Sequence, residues 1–372
     1  MRKVSVSLLA MMFLGTVVWG QAAILAFDSD TTISAGLSTV RGGFGITVVD
    51  SYDVIDSAHI EIHGRILTYG GSRFGGGGTT LPAFYLDGQV YSANPYAPPP
   101  ADTVSPDNTE YSEFENVLIA DWWLEDSTVQ FTQTLYPFSV DGQGAVLIRY
   151  TIINHDSVSH QVGAMLFLDT NIDGVDDAPF VYPGMEIEST TVLTGGEIPP
   201  YFQVYQIGPM VPDSEQTVAR LILDGLPNIK PNEIAICDQR TALSLVVWDL
   251  SVLPPEPISD GMIVLKWGPE TIEPGEGITY ACTYGLAPEG DFIGGPLGGR
   301  IEMPRHATIF HCNLIPNPFS ISVLLRNNTD SCMYNIRAQF VINHPGVTLD
   351  PDTLLFLADS LLPSEIVPVA WT

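Results

Sequence analysis

The residues best placed to do chemistry lie in Asp169-Thr170-Asn171-Ile172-Asp173-Gly174-Val175-Asp176-Asp177, directly after an apolar stretch. Oxygen-bearing side chains at alternate positions before a glycine form the first half of a calcium loop, because a sharp turn at Gly174 lets Asp169, Asn171 and Asp173 converge on one Ca2+. An EF-hand places its bidentate glutamate where this chain has Phe180, so Asp176, Asp177 or a distant carboxylate such as Glu186 must close the shell. The same residues also suit an Asx-rich turn capping a strand. A second cluster, His59-Ile60-Glu61-Ile62-His63, would set two histidines and a glutamate on one strand face. Side chains two apart on a strand stand nearly ~7 Å apart, so a solvated strand face explains that spacing as well as a metal does. Trp122-Trp123, near Tyr111 and Phe114, offers an aromatic platform for sugar rings. Adjacent strand residues point to opposite faces, so at most one of the pair is exposed and the other is core.

Other chemistries lack their residues. No Gly-x-Ser-x-Gly elbow occurs, no local signature joins the histidines to a serine or cysteine, and His-Glu-x-x-His is absent. The run Gly75 to Gly78 has no phosphate-loop lysine and reads as a loop. Acidic residues are plentiful enough to supply a glycosidase pair, but abundance alone defines no pair.

The elements that must position these residues are strands. In Val129 to Leu135, the apolar Val129, Phe131 and Leu135 alternate with Gln130, Thr132 and Thr134, the period of a half-buried strand. Ala145 to Ile153 and Val162 to Leu168 are apolar on both faces, as are Ser244 to Trp248 and Met262 to Trp267, so these are expected between layers. Val218 to Leu223 is the best short helical candidate. The 29 prolines and 34 glycines punctuate the chain closely, which favours a large multi-stranded antiparallel β-sandwich over alternating strands and helices. Asn94 to Asp107, with five prolines, reads as an extended excursion, and Gly294 to Pro304 as a boundary. The expected organisation is residues 1–22, a signal peptide; 27–300, a large β-sandwich; and 306–372, a smaller one.

Charge and cysteines narrow the setting. With 43 acidic and 14 basic side chains the net charge is -29, which repels nucleic acid and disfavours an electrostatic grip on anionic membranes. Met1-Arg2-Lys3, an uncharged apolar run to Gly20 and small residues at Gly20 and Ala22 make a secretory signal, and no later stretch approaches the ~20 apolar residues of a spanning helix. Cys237, Cys282, Cys312 and Cys332 permit two disulfides in an exported chain, domain locality favouring Cys237 with Cys282 and Cys312 with Cys332. Buried free thiols are the equal alternative.

Three resemblances add to this. In the final segment Asn317-Pro318-Phe319 leads into Ile321, Val323 and Leu325; Cys332 to Phe340 alternates; and Leu362-Pro363-Ser364-Glu365 opens a strand ending Trp371-Thr372. This resembles bacterial Ig-like domains of cell-surface proteins, with Ser364 in place of their usual glycine. The segment is shorter than such domains, which implies an incomplete sandwich. Val146 to Phe180, with Ile272-Glu273-Pro274-Gly275-Glu276 and Tyr284-Gly285-Leu286, is similar to segments of uncharacterised exported bacterial β-sandwich proteins. The whole large domain looks like the supersandwich of sugar mutarotases and polysaccharide lyases, a likeness of fold. Acidic surface, export signal, Ig-like tail and missing catalytic motifs together point to an exported, non-enzymatic surface or secreted module of structural or adhesive type, with surface glycans or envelope proteins as partners. The alternative is a carbohydrate-binding or carbohydrate-active protein on a supersandwich.

Overall fold

The computed structural model describes residues 23–287, except 29, 57–58, 72–78, 96, 100, 113–115, 125–127, 141–142, 183–184, 200, 209–215, 224–229 and 247, and, beyond 287, the strands between 293 and 371 with Cys332. The signal segment therefore lies outside the described residues.

The chain is all-β, as its alternation implies. A nine-stranded sheet runs, edge to edge, through Met185–Ile187, Phe180–Tyr182, Tyr201–Tyr205, Val218–Ile222, Gly277–Leu286, Gln143–Asn154, Val129–Val140, Val117–Leu124 and Asn108–Ser112. A seven-stranded sheet runs through Thr191–Thr194, Glu233–Asp238, Gly261–Ile272, His160–Asp169, Leu81–Leu86, Gln89–Ser92 and Asp102–Thr103. Pairing is antiparallel throughout both, except where Gln89–Ser92 meets Asp102–Thr103. Ala23–Phe27, Ile33–Ser38 and Phe44–Val48 make a third sheet, whose Ile33, Leu37, Phe44 and Ile46 enter the same core. This sheet begins four residues before the boundary expected at 27, because Ala23 to Phe27 pairs with Ser34 to Ser38.

The main core lies between the sheets. Phe84, Trp122, Phe131, Tyr150, Trp267, Tyr280 and Tyr284 meet there, with Phe84 4.9 Å from Trp122 and 4.7 Å from Phe131, ring centre to ring centre. His160–Asp169 is buried on both faces, as its composition requires. Val162, Ala164, Leu166 and Leu168 face the main core, whereas Met165 and Phe167 face a second apolar cluster on the far side. That cluster is roofed by Ala242, Val246, Leu250 and Leu253.

The roof corrects one expectation. Ser244 to Trp248 is not a strand; the α-helix Gln239–Leu245 occupies its first half and ends at Val246 in left-handed conformation. Asp238 caps the helix by accepting from the Arg240 N–H at 3.1 Å. The apolar run fits either element, and the cap together with the sheet face waiting to be covered decides for helix. Conversely Val218–Ile222, the expected helix, is a strand between Tyr201–Tyr205 and Gly277–Leu286. A five-residue helix makes too few internal bonds to compete with two ladders.

Cys237 does not pair with Cys282, and the free-thiol alternative holds for both. Cys237, Cys282 and Cys332 are free thiols. Cys237 points from the seven-stranded sheet into the cluster under the helix, while Cys282 points from the nine-stranded sheet into the main core, so a sheet separates them. Cys332 is exposed, and Cys312 lies outside the described residues.

At the C-terminal end, strands stand where alternation put them, at Ile321–Asn327, Met333–Gln339 and Ile366–Trp371, and a further strand, Leu354–Leu361, pairs with Met333–Gln339. Leu297–Glu302 pairs with Ile321–Asn327, which in turn pairs with Ile366–Trp371. Within the glycine-rich stretch expected to hold a boundary, Ile293–Gly294 pairs back on Gly298 and Gly299 as a hairpin of this C-terminal sheet. Glycine runs serve tight turns as readily as linkers.

Candidate functional site

The residues expected to form a calcium loop make a tight turn. Asp169 and Asn171 are buried, Asp173 and Asp177 are exposed, and Asp176 is half-buried. Ile172 and Val175 bond each other across the turn at 3.0 and 3.2 Å, with φ of 54° at Asp173 and 93° at Gly174. Positive φ at both central residues is the type I′ hairpin turn that Asp-Gly favours. Asn171 Oδ1 accepts from the Gly174 N–H at 2.8 Å and its amide donates to Asp176, while Asp173 Oδ2 accepts from Gln206 at 3.3 Å. Among the described residues, no three histidine, cysteine or acidic side chains are grouped to hold a metal.

Asp169 is instead a buried carboxyl. Thr79 and Gln239 donate to Oδ2, the latter at 3.1 Å, whereas Oδ1 is buried with no hydrogen-bond partner. Burial pushes its pKa up to about 7, against the hydrogen bonds and with help from the charges of Asp260 and Asp176. Its side chain is wholly inaccessible.

His59–His63 is a strand as expected, paired with Ser51–Asp56. His63 Nε2 lies 3.2 Å from Asp53 Oδ2 in an exposed contact. The side chains of residues 59–61 and the glycine run 75–78 lie outside the described residues.

The tryptophan pair divides as strand geometry demands. Trp122 is fully buried against Phe84, while Trp123 is 37% exposed on the outer face of the nine-stranded sheet. The indole of Trp123 stacks on the His155 ring, centres 5.2 Å apart and planes 30° apart. His155 follows the Gln143–Asn154 strand, and its backbone N–H bonds Thr128 O at 2.8 Å, which brings the ring over the sheet. Gln130, directly opposite Trp123 on the next strand, places Oε1 3.2 Å from His155 Nε2 and donates Nε2 to Asp121 at 3.1 Å. Thr132 also donates to Asp121 Oδ1, at 2.5 Å. Asp107 Oδ2 accepts the Trp123 backbone N–H at 2.7 Å. The result is an accessible aromatic surface rimmed by carboxylates, an amide and a hydroxyl, held by ladder register and cross-strand hydrogen bonds. Further along the same face Thr134, Leu147, Ala281 and Thr283 are buried, so this face is open at its Trp123 end.

Adjacent tryptophans were a legible signal. Asp107, Asp121, Gln130, Thr132 and His155 were not, because each joins the site through pairing between strands, and a period-two pattern does not name a strand's neighbour.

No protein-family model matches the chain, and no curated protein matches it by sequence. Among solved structures it is similar to a protein of Escherichia coli K12 assigned as an aldose 1-epimerase, with TM-score 0.40 and 9% identity over 72% of this chain and 99% of the other. It is similar also to a galactose mutarotase related enzyme of Lactobacillus acidophilus, with TM-score 0.36 and 9% identity over 72% and 98%. A galactose mutarotase-like protein of Lactobacillus casei gives TM-score 0.28 and 12% identity over 71% and 100%. At these scores no residue or activity of those proteins is carried over to this chain.

Proposed function

We propose that the protein is an exported carbohydrate-binding protein that takes sugar rings on Trp123. One observation carries this reading: an accessible indole, braced by His155, stands in a sheet face beside Asp121, Gln130, Thr132 and Asp107. Sugar rings present apolar C–H faces with hydroxyls at their edges, and a rigid aromatic plane flanked by acceptors and amides matches both. Sheet-borne side chains locked by cross-strand hydrogen bonds hold such a platform ready without ordering a loop. Export rests on the charged start, apolar run and small residues of the first 22 positions, and the strands beyond Ile293 are read as an Ig-like tail that displays the sandwich. A purely structural or adhesive role leaves the exposed indole without a purpose, so sugar binding is the better account.

Calorimetric titration against a panel of neutral oligosaccharides tests the reading. Binding that Trp123→Ala lowers at least tenfold is the expected result. Equal binding by the variant, or no binding across the panel, removes it.

A further inference from the structure

Beyond the indole, the same face carries a row of polar side chains straight across five strands. Asn108 pairs with Asp121, Asp121 with Thr132, Thr132 with Thr151, and Thr151 with Thr279, each in direct register. Residues opposite one another in a ladder point to the same side of the sheet. Thr132 Oγ1 donates to Asp121 Oδ1, and Thr151 Oγ1 lies 3.3 Å from Thr279 Oγ1, which places these groups on the Trp123 side. Four steps between strands ~4.8 Å apart make a row of about 19 Å. That is much longer than one sugar ring and runs across the strands.

We infer that the ligand is an extended, neutral polysaccharide chain, seated on Trp123 at one end and lying along the row Asn108–Asp121–Thr132–Thr151–Thr279. This rests on the sugar-binding reading of Trp123 and specifies its substrate class. Each hydroxyl has one proton and two lone pairs, so the threonines bonded to their neighbours keep capacity for sugar hydroxyls. The evenly spaced ladder suits a chain of repeating rings and does nothing for a single terminal sugar. Charge excludes acidic glycans: Asp107, Glu110 and Asp121 flank the platform, and the chain carries a net charge of -29. Arg149, two residues along from Thr151 on this stretch of the face, is half-buried and is the one cation there among the described residues, outnumbered by Asp107, Glu110 and Asp121.

The test is calorimetry with linear cello-, manno- and chito-oligosaccharides, each from the disaccharide to the hexasaccharide, and with polygalacturonate. Affinity in at least one neutral series is expected to climb with length, and polygalacturonate to give no heat. Thr279→Val, a substitution that strands accept, leaves the disaccharide unchanged and weakens the hexasaccharide about fivefold, the change one neutral hydrogen bond brings. A disaccharide bound as tightly as the hexasaccharide, with Trp123→Ala still weakening both, overturns the extended-chain inference and leaves the sugar-binding reading standing. Preferred binding of polygalacturonate overturns the charge argument. Silence across all series removes both.

Discussion

Trp122 and Trp123 are neighbours in sequence and opposites in role. Trp122 fills the main core beside Phe84, and truncating it to alanine is expected to cost about 3–5 kcal/mol, read by urea unfolding. Trp123→Ala removes a ring that already meets solvent and is expected to cost about 1 kcal/mol or less, while lowering sugar binding about tenfold or more. Comparable losses of stability in the two variants would contradict the assignment of faces. Two buried titratable groups give the fold a pH dependence of one sign. His160 lies 2.6 Å from Asp87 and 3.3 Å from Asp156; burial pushes its pKa down, and the two carboxylates push it up by more. A raised histidine lends stability that is complete below its ordinary value near ~6.5 and is lost as pH climbs through the raised one. Asp169, raised from 3.8 to about 7, also favours the folded state while protonated and loses that advantage between those limits. The melting temperature is therefore expected to fall as pH rises from about 4 through neutrality. Asp169→Asn should flatten most of that slope and raise the stability above pH ~7 by on the order of a few kcal/mol. An unchanged slope in the variant would rule out Asp169 as its source.

Among the elements, the helix Gln239–Leu245 shows how weak local signals are settled. Seven residues cannot hold a helix by propensity alone. Asp238 ties its start, accepting from the Arg240 N–H and from the Ser259 N–H and hydroxyl, and these bonds hold its carboxyl below the usual range despite burial. Asp238→Ala is expected to cost about 1–2 kcal/mol, because it removes a cap and leaves the Ser259 hydroxyl without its acceptor. The measurement is chemical unfolding beside the far-ultraviolet spectrum, and a wild-type midpoint would deny the cap its role. The helix lies over Met165, Phe167, Cys237 and Val264, so it makes the seven-stranded sheet apolar on both faces. Strand composition announced that second apolar face; what covers it is a segment whose own pattern reads equally well as strand.

For the molecule as a whole, the thiols report how the layers are arranged. Cys237 lies under the helix and Cys282 inside the sandwich, and burial pushes the first thiol up to about 12 and the second higher still. Alkylation of the native protein, mapped by mass spectrometry, is expected to mark Cys332 at once and to reach Cys237 and Cys282 only on unfolding. Early labelling of either core thiol would mean that the sheets are packed differently.

The chain's pattern by itself determined that successive residues switch sides, that several strands are buried on both faces, and that one tryptophan of the pair must be core. These are local consequences of backbone geometry, and any window of sequence contains them. Tertiary structure decided which strands adjoin. It set His155 over Trp123, lined Thr132, Thr151 and Thr279 into one row, placed a sheet between Cys237 and Cys282, and turned Asp173-Gly174 into a hairpin turn. Neighbours in a sheet are joined by hydrogen bonds between segments far apart in the chain, and an alternation that repeats every two residues is the same whichever partner lies alongside.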